Sequence, residues 1–262
     1  MQTRYTDAIP LAPRPSLDQY RKLSKELAQA AKSADPAAVR VWATGWIERL
    51  ARLQGQAPTP EYVDRADPSR LDRRQIEREV ETILRDLGRS DLLEPGAGGG
   101  APRLSEAQLV VARLHGFESW PRFVRHLEGG RQADSPTAQF EAAADAIVTG
   151  DLAALRSLLH RNPGLVRARS SRDHHATLLH YVAANGHEGF RQRTPPNALA
   201  IARVLLEAGA EPDALAEMYE HRCTTMEMLV SSAPPHAAGL QGALAELLLD
   251  FGAAVDGVER NG

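Results

Sequence analysis

Residues 176–189 read ATLLHYVAANGHEG. His180 stands at the head of a short apolar run, small residues follow it, and Gly186 closes it. A general base, a metal ligand and a structural turn residue are three roles that suit such a histidine. Which one applies depends on whether the stretch is unique or is one copy of a pattern.

It is one copy. From residue 138 the chain repeats a plan of helix, turn, helix and loop. AIVTGDLAALRSLL, LLHYVAANGHEGF with ALAIARVLLEAGAEPDA, and TTMEMLVSSAPPHAAGLQGALAELLLDFGAAVDG all follow it. The best internal match sets VLLEAGAEPDA against ELLLDFGAAVDG, with Gly209 and Gly252 standing 43 residues apart. Each glycine closes a helix where a left-handed residue is wanted.

These segments resemble ankyrin repeats. Thr177, Leu179, His180, Ala183, Gly186 and His187 fall on motif positions of that family, with Leu178 in place of the usual proline. The resemblance implies an all-α, ankyrin-type helical-repeat solenoid with a helical N-terminal region. It also implies a non-catalytic protein-binding or scaffold module. On that analogy the concave, partner-facing positions are His174, His175, Ala184 and Asn185 in one repeat. In the next they are Glu220, His221, Arg222, Ser231 and Ser232. Two inserts depart from the pattern, EGFRQRTPPNA and SAPPHAAG, each with a Pro-Pro pair that predicts an early start for the second helix. The turn SRDHHA lacks the usual glycine.

Within this frame His180 reads as a structural group whose ring bonds the backbone of the adjoining loop, with His187 a scaffolding residue in the inter-helix turn. The alternative is a metal-dependent hydrolase built on His174, His175, His180 and His187. Against it, the sequence has no HExxH and no carboxylate at a recognised zinc spacing. His180 and His187 would also lie about 10 Å apart at 1.5 Å per helical residue. The glycines of EPGAGGGAPR have no following Gly-Lys-Ser/Thr, so there is no P-loop, and no cofactor is expected.

The N-terminal half reads as helices. LDQYRKLSKELAQAAKS spaces Tyr20, Leu23, Leu27 and Ala31 by three and four. Asp35 and Pro36 open a second helix with Val39, Trp42, Trp46, Leu50 and Leu53 on one face. Ile76, Val80, Ile83 and Leu87 line a third. Ser105 and Gln108 suggest a capping box, and Trp120, Phe123, Val124 and Leu127 a buried face. LSEAQLVVARLHGFESWPRF is similar to a segment that precedes ankyrin repeats in bacterial proteins. Residues 55–70 and 94–103 read as loop and linker, and 129–137 as a boundary. The expected organisation is a flexible tail over 1–16, degenerate helix pairs over 17–132, and the repeat domain over 133–262. That last domain is expected either to be truncated or to dock a partner or a second copy at its C-terminal face.

Composition narrows the partner. Charged residues are 25% of the chain and the net charge is −3, which argues against nucleic acid. Aromatic residues are only 5%, so Leu, Val and Ala must fill the core. No apolar run reaches the roughly 18 residues of a membrane span. The one cysteine excludes an internal disulfide and suits a reducing, cytoplasmic setting. The expected partner is another protein.

Overall fold

Helix-forming patterns become helices along most of the chain. The computed structural model describes residues 8–33, 35–53, 57–58, 70–71, 73–87, 103–219 and 221–255. The architecture is all-α, with two short two-stranded ladders, and divides into two units, Ile9–Leu127 and Glu128 onward. The division falls inside a helix. The linker at 94–102 and most of the loop at 55–70 lie outside the described residues.

In the first unit α1 (Leu17–Lys32) starts where the Ser16 hydroxyl accepts the Gln19 amide, and Tyr20, Leu23, Leu27 and Ala31 are buried at the predicted spacing. Asp35 accepts the Ala37 amide and opens α2 (Pro36–Leu53). Val39, Trp42, Trp46 and Leu50 go inward, whereas Leu53, in the last turn, is 48% exposed. Then come β1 (Ala57–Pro58), paired in parallel with β2 (Arg70–Leu71), and α3 (Arg73–Leu87), with Ile76, Val80 and Ile83 buried. The next helix, α4 (Leu104–Leu114), corrects the capping reading. Its N-cap is Arg103, whose amide is taken by the Glu106 carboxylate at 2.9 Å, so Ser105 lies inside the first turn. The first unit closes with α5 (Trp120–Gly130), where Phe123 and Leu127 are buried.

α1 packs on α2 and α4, and α2 on α3. At the centre, Tyr20 meets the rings of Trp46, His115 and Phe123 edge-on, with centroids 4.9–5.8 Å away. Such geometry suits the aromatic quadrupole. The expected tail takes part in this packing. Ile9 and Ala12 are buried, the Ala12 amide donates to the Tyr20 hydroxyl, and the Ile9 carbonyl meets His115 Nδ1 at 2.8 Å.

The second unit runs through α6 (Pro136–Thr149), α7 (Leu152–Arg161), α8 (Leu178–Val182), α9 (Ala198–Glu207), β3 (Ala216–Met218), β4 (His221–Cys223), α10 (Thr225–Val230), α11 (Ala233–Ala237) and α12 (Gln241–Asp250). Ser135 caps α6 and Asp151 caps α7, each accepting an amide of the first turn. α6 packs on α7, α8 on α9, and α10 on α12. The leading helices α6, α8 and α10 are successive neighbours, as are α7, α9 and α12. Leu205, Leu206, Leu247 and Leu248 are buried among them, and Gly209 and Gly252 take positive φ past the ends of α9 and α12.

Two turn readings change. Neither Pro-Pro pair starts the second helix early. Pro195–Pro196 stay outside α9, and Pro234–Pro235 form α11, a separate turn that ends before α12. In SRDHHA, the left-handed conformation usually given to glycine is taken by His175, at φ 48°. Among the described residues no helix is long and apolar enough to cross a membrane.

Candidate functional site

His180 lies in the first turn of α8 with its ring fully buried. Its Nδ1 accepts the Thr177 amide at 3.2 Å, which leaves the proton on Nε2 to be donated to the Cys223 carbonyl at 3.2 Å. Burial pushes the imidazole pKa down to about 4, with the Cys223 hydrogen bond opposing, so the ring is neutral near pH 7. The ring therefore holds the start of its own helix through Nδ1 and ties it to strand β4 of the following hairpin through Nε2.

Other bonds cross between successive helix pairs at similar offsets. Asn197 Nδ2 donates to the Gly150 carbonyl across 47 residues, and Asn185 Nδ2 to the Met228 carbonyl across 43. The Ser232 hydroxyl donates to the Ala184 carbonyl across 48, and the Ala254 amide to Asp213 across 41.

The positions expected to face a partner do not form one surface. His174, Ala184 and Ser232 are buried. His174 Nδ1 accepts the Ala176 amide and its carbonyl accepts the Glu217 amide. Ala184 holds φ at 49° and turns the chain. His175 is half-buried, with Nδ1 3.3 Å from the Ser170 carbonyl. Asn185 is also half-buried and fully engaged: besides Met228 it donates to Ser231 Oγ at 3.0 Å and accepts from the Tyr219 hydroxyl at 2.6 Å. His221, Arg222 and Ser231 are exposed. Glu220 lies outside the described residues.

The strongest electrostatic feature of the second unit is internal. Glu188 is fully buried and ion-paired with Arg172 Nε; Arg191 Nη1 lies 3.8 Å away and His174 Nε2 3.4 Å. Glu141, on α6, accepts Arg172 Nη2 at 3.1 Å and Arg191 Nη2 at 2.9 Å. Asp145, one turn further along α6, takes Arg191 Nε at 2.9 Å. The Tyr181 ring packs beside this group, 4.4 Å from His187 and 5.8 Å from the Arg191 guanidinium.

Burial opposes ionisation of Glu188, but Arg172, His174 and Arg191 outweigh it and hold the carboxyl well below the usual range. Burial likewise opposes charge on Arg172 and Arg191, and Glu141 with Glu188 reverses that for both. His187 is pushed down to about 3 by burial, with His174 and Arg191 adding and Glu188 opposing. Near neutral pH the centre holds fixed opposite charges around neutral His187. It fastens Glu188 and Arg191, which lie in the EGFRQR insert, onto α6 and onto the SRDHHA turn.

In the sequence the insert and the glycine-free turn are two separate departures from the pattern. The structure joins them in one cluster. The signal was the pairing of Arg172 in one with Glu188 in the other.

Compared with known proteins, the chain matches no family model, no curated protein and no solved structure.

Among the described residues no group of three or more His, Cys, Asp and Glu side chains is placed to hold a metal ion. Of the four histidines weighed as metal ligands, His180 spends both ring nitrogens on Thr177 and Cys223, and His174 and His187 lie within the ionic cluster.

Proposed function

We propose that the second unit is a non-catalytic binding or scaffold module of stacked, ankyrin-like helix pairs, and that its partner is another protein. The observation that carries this reading is the set of side-chain hydrogen bonds between successive pairs at offsets of 41–48 residues, with leading helices next to leading helices. Stacks of this kind hold a long surface through neighbour contacts alone. The partner-facing part of that surface is built on the β3–β4 hairpin, where His221, Arg222 and Tyr219 are exposed, together with Ser231. A cytoplasmic setting fits, with the one cysteine, Cys223, buried and its Sγ 3.7 Å from the Met218 carbonyl. The C-terminal pair is a second contact surface, for a partner or another copy, because Val230, Leu249 and Phe251 are exposed there.

The test uses the full chain as bait in a lysate of its native cell. The double variant His221→Ala with Arg222→Glu should lose the captured protein and keep the wild-type melting temperature, since surface changes cost within about 0.5 kcal/mol. Capture that survives both changes means that the hairpin is not the binding surface.

A further inference from the structure

We infer that Asn185–Gly186 is a latent self-modification site, whose asparagine converts to aspartate or isoaspartate only when the latch made by the Tyr219 hydroxyl opens. In an Asn-Gly pair the backbone nitrogen of glycine can reach the side-chain amide of asparagine with no Cβ in the way. Gly186 N attacks Asn185 Cγ, forming a new C–N bond. Its proton passes to the departing nitrogen, which leaves as ammonia, and a five-membered imide results. Water then adds to either imide carbonyl and opens the ring, giving aspartate or isoaspartate. One water is consumed, one ammonia is released, and nothing is oxidised or reduced.

In the folded chain the side-chain amide of Asn185 is held by other partners. Asn185 Nδ2 donates to the Met228 carbonyl and Ser231 Oγ, both at 3.0 Å, and Asn185 Oδ1 accepts from the Tyr219 hydroxyl at 2.6 Å. Turning the amide toward Gly186 N breaks all three bonds. Gly186 itself has φ at 76° and leaves no room for a side chain, since a Cβ there would run into Met218 Sδ and Met228 Sδ. Tyr219 is the least buried of these groups, 51% exposed at the hairpin tip, with its own φ at 50°. The latch is thus only as secure as that tip, and local openings of exposed loops cost the least free energy in a fold.

Conversion is also consequential. A carboxylate cannot donate to the Met228 carbonyl, so the reaction replaces an attraction between the α8 turn and α10 with a repulsion. Isoaspartate adds a methylene to the backbone at a turn that tolerates little change. The product is a chain whose junction between successive helix pairs has been loosened irreversibly. This inference does not depend on the proposed binding function.

The experiment ages the full chain in mildly alkaline buffer and maps the peptides for the mass gain and the isoaspartate linkage at residue 185. Asn261, also followed by glycine, serves as a clock in the same digest. In the wild type, position 185 should convert roughly tenfold or more slowly than 261, the factor that about 1.4 kcal/mol of local closing provides. Tyr219→Phe should speed conversion at 185 several-fold and leave 261 unchanged. Equal rates at 185 and 261 in the wild type, or no acceleration in a folded Tyr219→Phe, would overturn the inference. Should Tyr219→Phe fail to fold by circular dichroism, Ser231→Ala decides: it removes one acceptor, and an unchanged rate at 185 overturns the proposal.

Discussion

The two units solve the problem of a stable interior in opposite ways. The first fills its centre with Tyr20, Trp46, Phe123, Leu23 and Leu27, and two of its polar groups, the His115 ring and the Tyr20 hydroxyl, each meet backbone of the 9–12 segment. The second buries Glu188 beside Arg172, Arg191 and His174. Apolar packing tolerates the loss of one member in proportion to the volume removed. A buried charge cluster does not, because each member is stabilised only by the others.

The largest expected effect tests this contrast. Glu188→Ala leaves two buried guanidiniums with less compensation and should cost about 3–5 kcal/mol. Arg172→Met combined with Glu188→Leu should recover most of that loss, because removing both charges removes the desolvation penalty as well. In the first unit Leu27→Ala should cost about 2–5 kcal/mol, with no second substitution of that kind to rescue it. Urea unfolding of these variants supplies the comparison. A Glu188→Ala loss under about 1 kcal/mol would mean that the cluster behaves like a solvated surface pair.

Acid should separate the units next. His180 and His187 have folded pKa values of about 4 and about 3 against 6.5 for the free group. The unfolded chain therefore binds protons first as pH falls. The stability tied to these rings is complete above about pH 6.5 and is lost as pH drops toward their folded values. For His180 alone the loss is about 3 kcal/mol, at about 1.4 kcal/mol per unit. Glu188, held low by its arginines, adds a further loss below the ordinary carboxylate range. All three tryptophans, Trp42, Trp46 and Trp120, lie in the first unit, so their emission reports that unit alone. Amide protection in α8, taken relative to the intrinsic exchange rate at each pH, should fall between pH 6 and 4 before tryptophan emission changes, and His180→Gln should shrink the gap. Simultaneous loss of both signals would show that these histidines do not set the acid limit.

The same contrast explains what could be read beforehand. In α1, Tyr20, Leu23, Leu27 and Ala31 follow helical period, and a period is enough to place an apolar face. Asp35, Gly209 and Gly252 could be placed because caps and left-handed closures need particular residue types. His180 could be assigned a backbone partner because its position in the pattern fixes which loop lies opposite it. His174, Ala184 and Ser232 went the other way: a repeat pattern places them along the chain but says nothing of the insert that covers His174 with Glu188. The capping box at Ser105 failed for a local reason. Glu106 sits three residues after Arg103 and captures its amide, so the helix begins two residues sooner.

The smallest effect is expected at Gly45, and it is read against the same substitution at Gly186, where the opposite sign is expected. Gly186 has φ at 76°, and a Cβ there would strike Met218 Sδ and come within 2.8 Å of Met228 Sδ. Gly186→Ala combines a left-handed alanine, costing about 1–2 kcal/mol, with displacement of two methionines that the β3–β4 hairpin and α10 have already packed. Gly45 sits in the interior of α2, and a Cβ there meets nothing within 4 Å. Alanine at that site restricts the unfolded chain and suits the helix, so Gly45→Ala should raise stability by about 0.5–1 kcal/mol. Thermal melts of the two variants read the difference directly. A gain at both positions would mean that the turn after Asn185 can relax toward ordinary backbone geometry, and that the tight closure of the second unit is not what holds its hairpin in place.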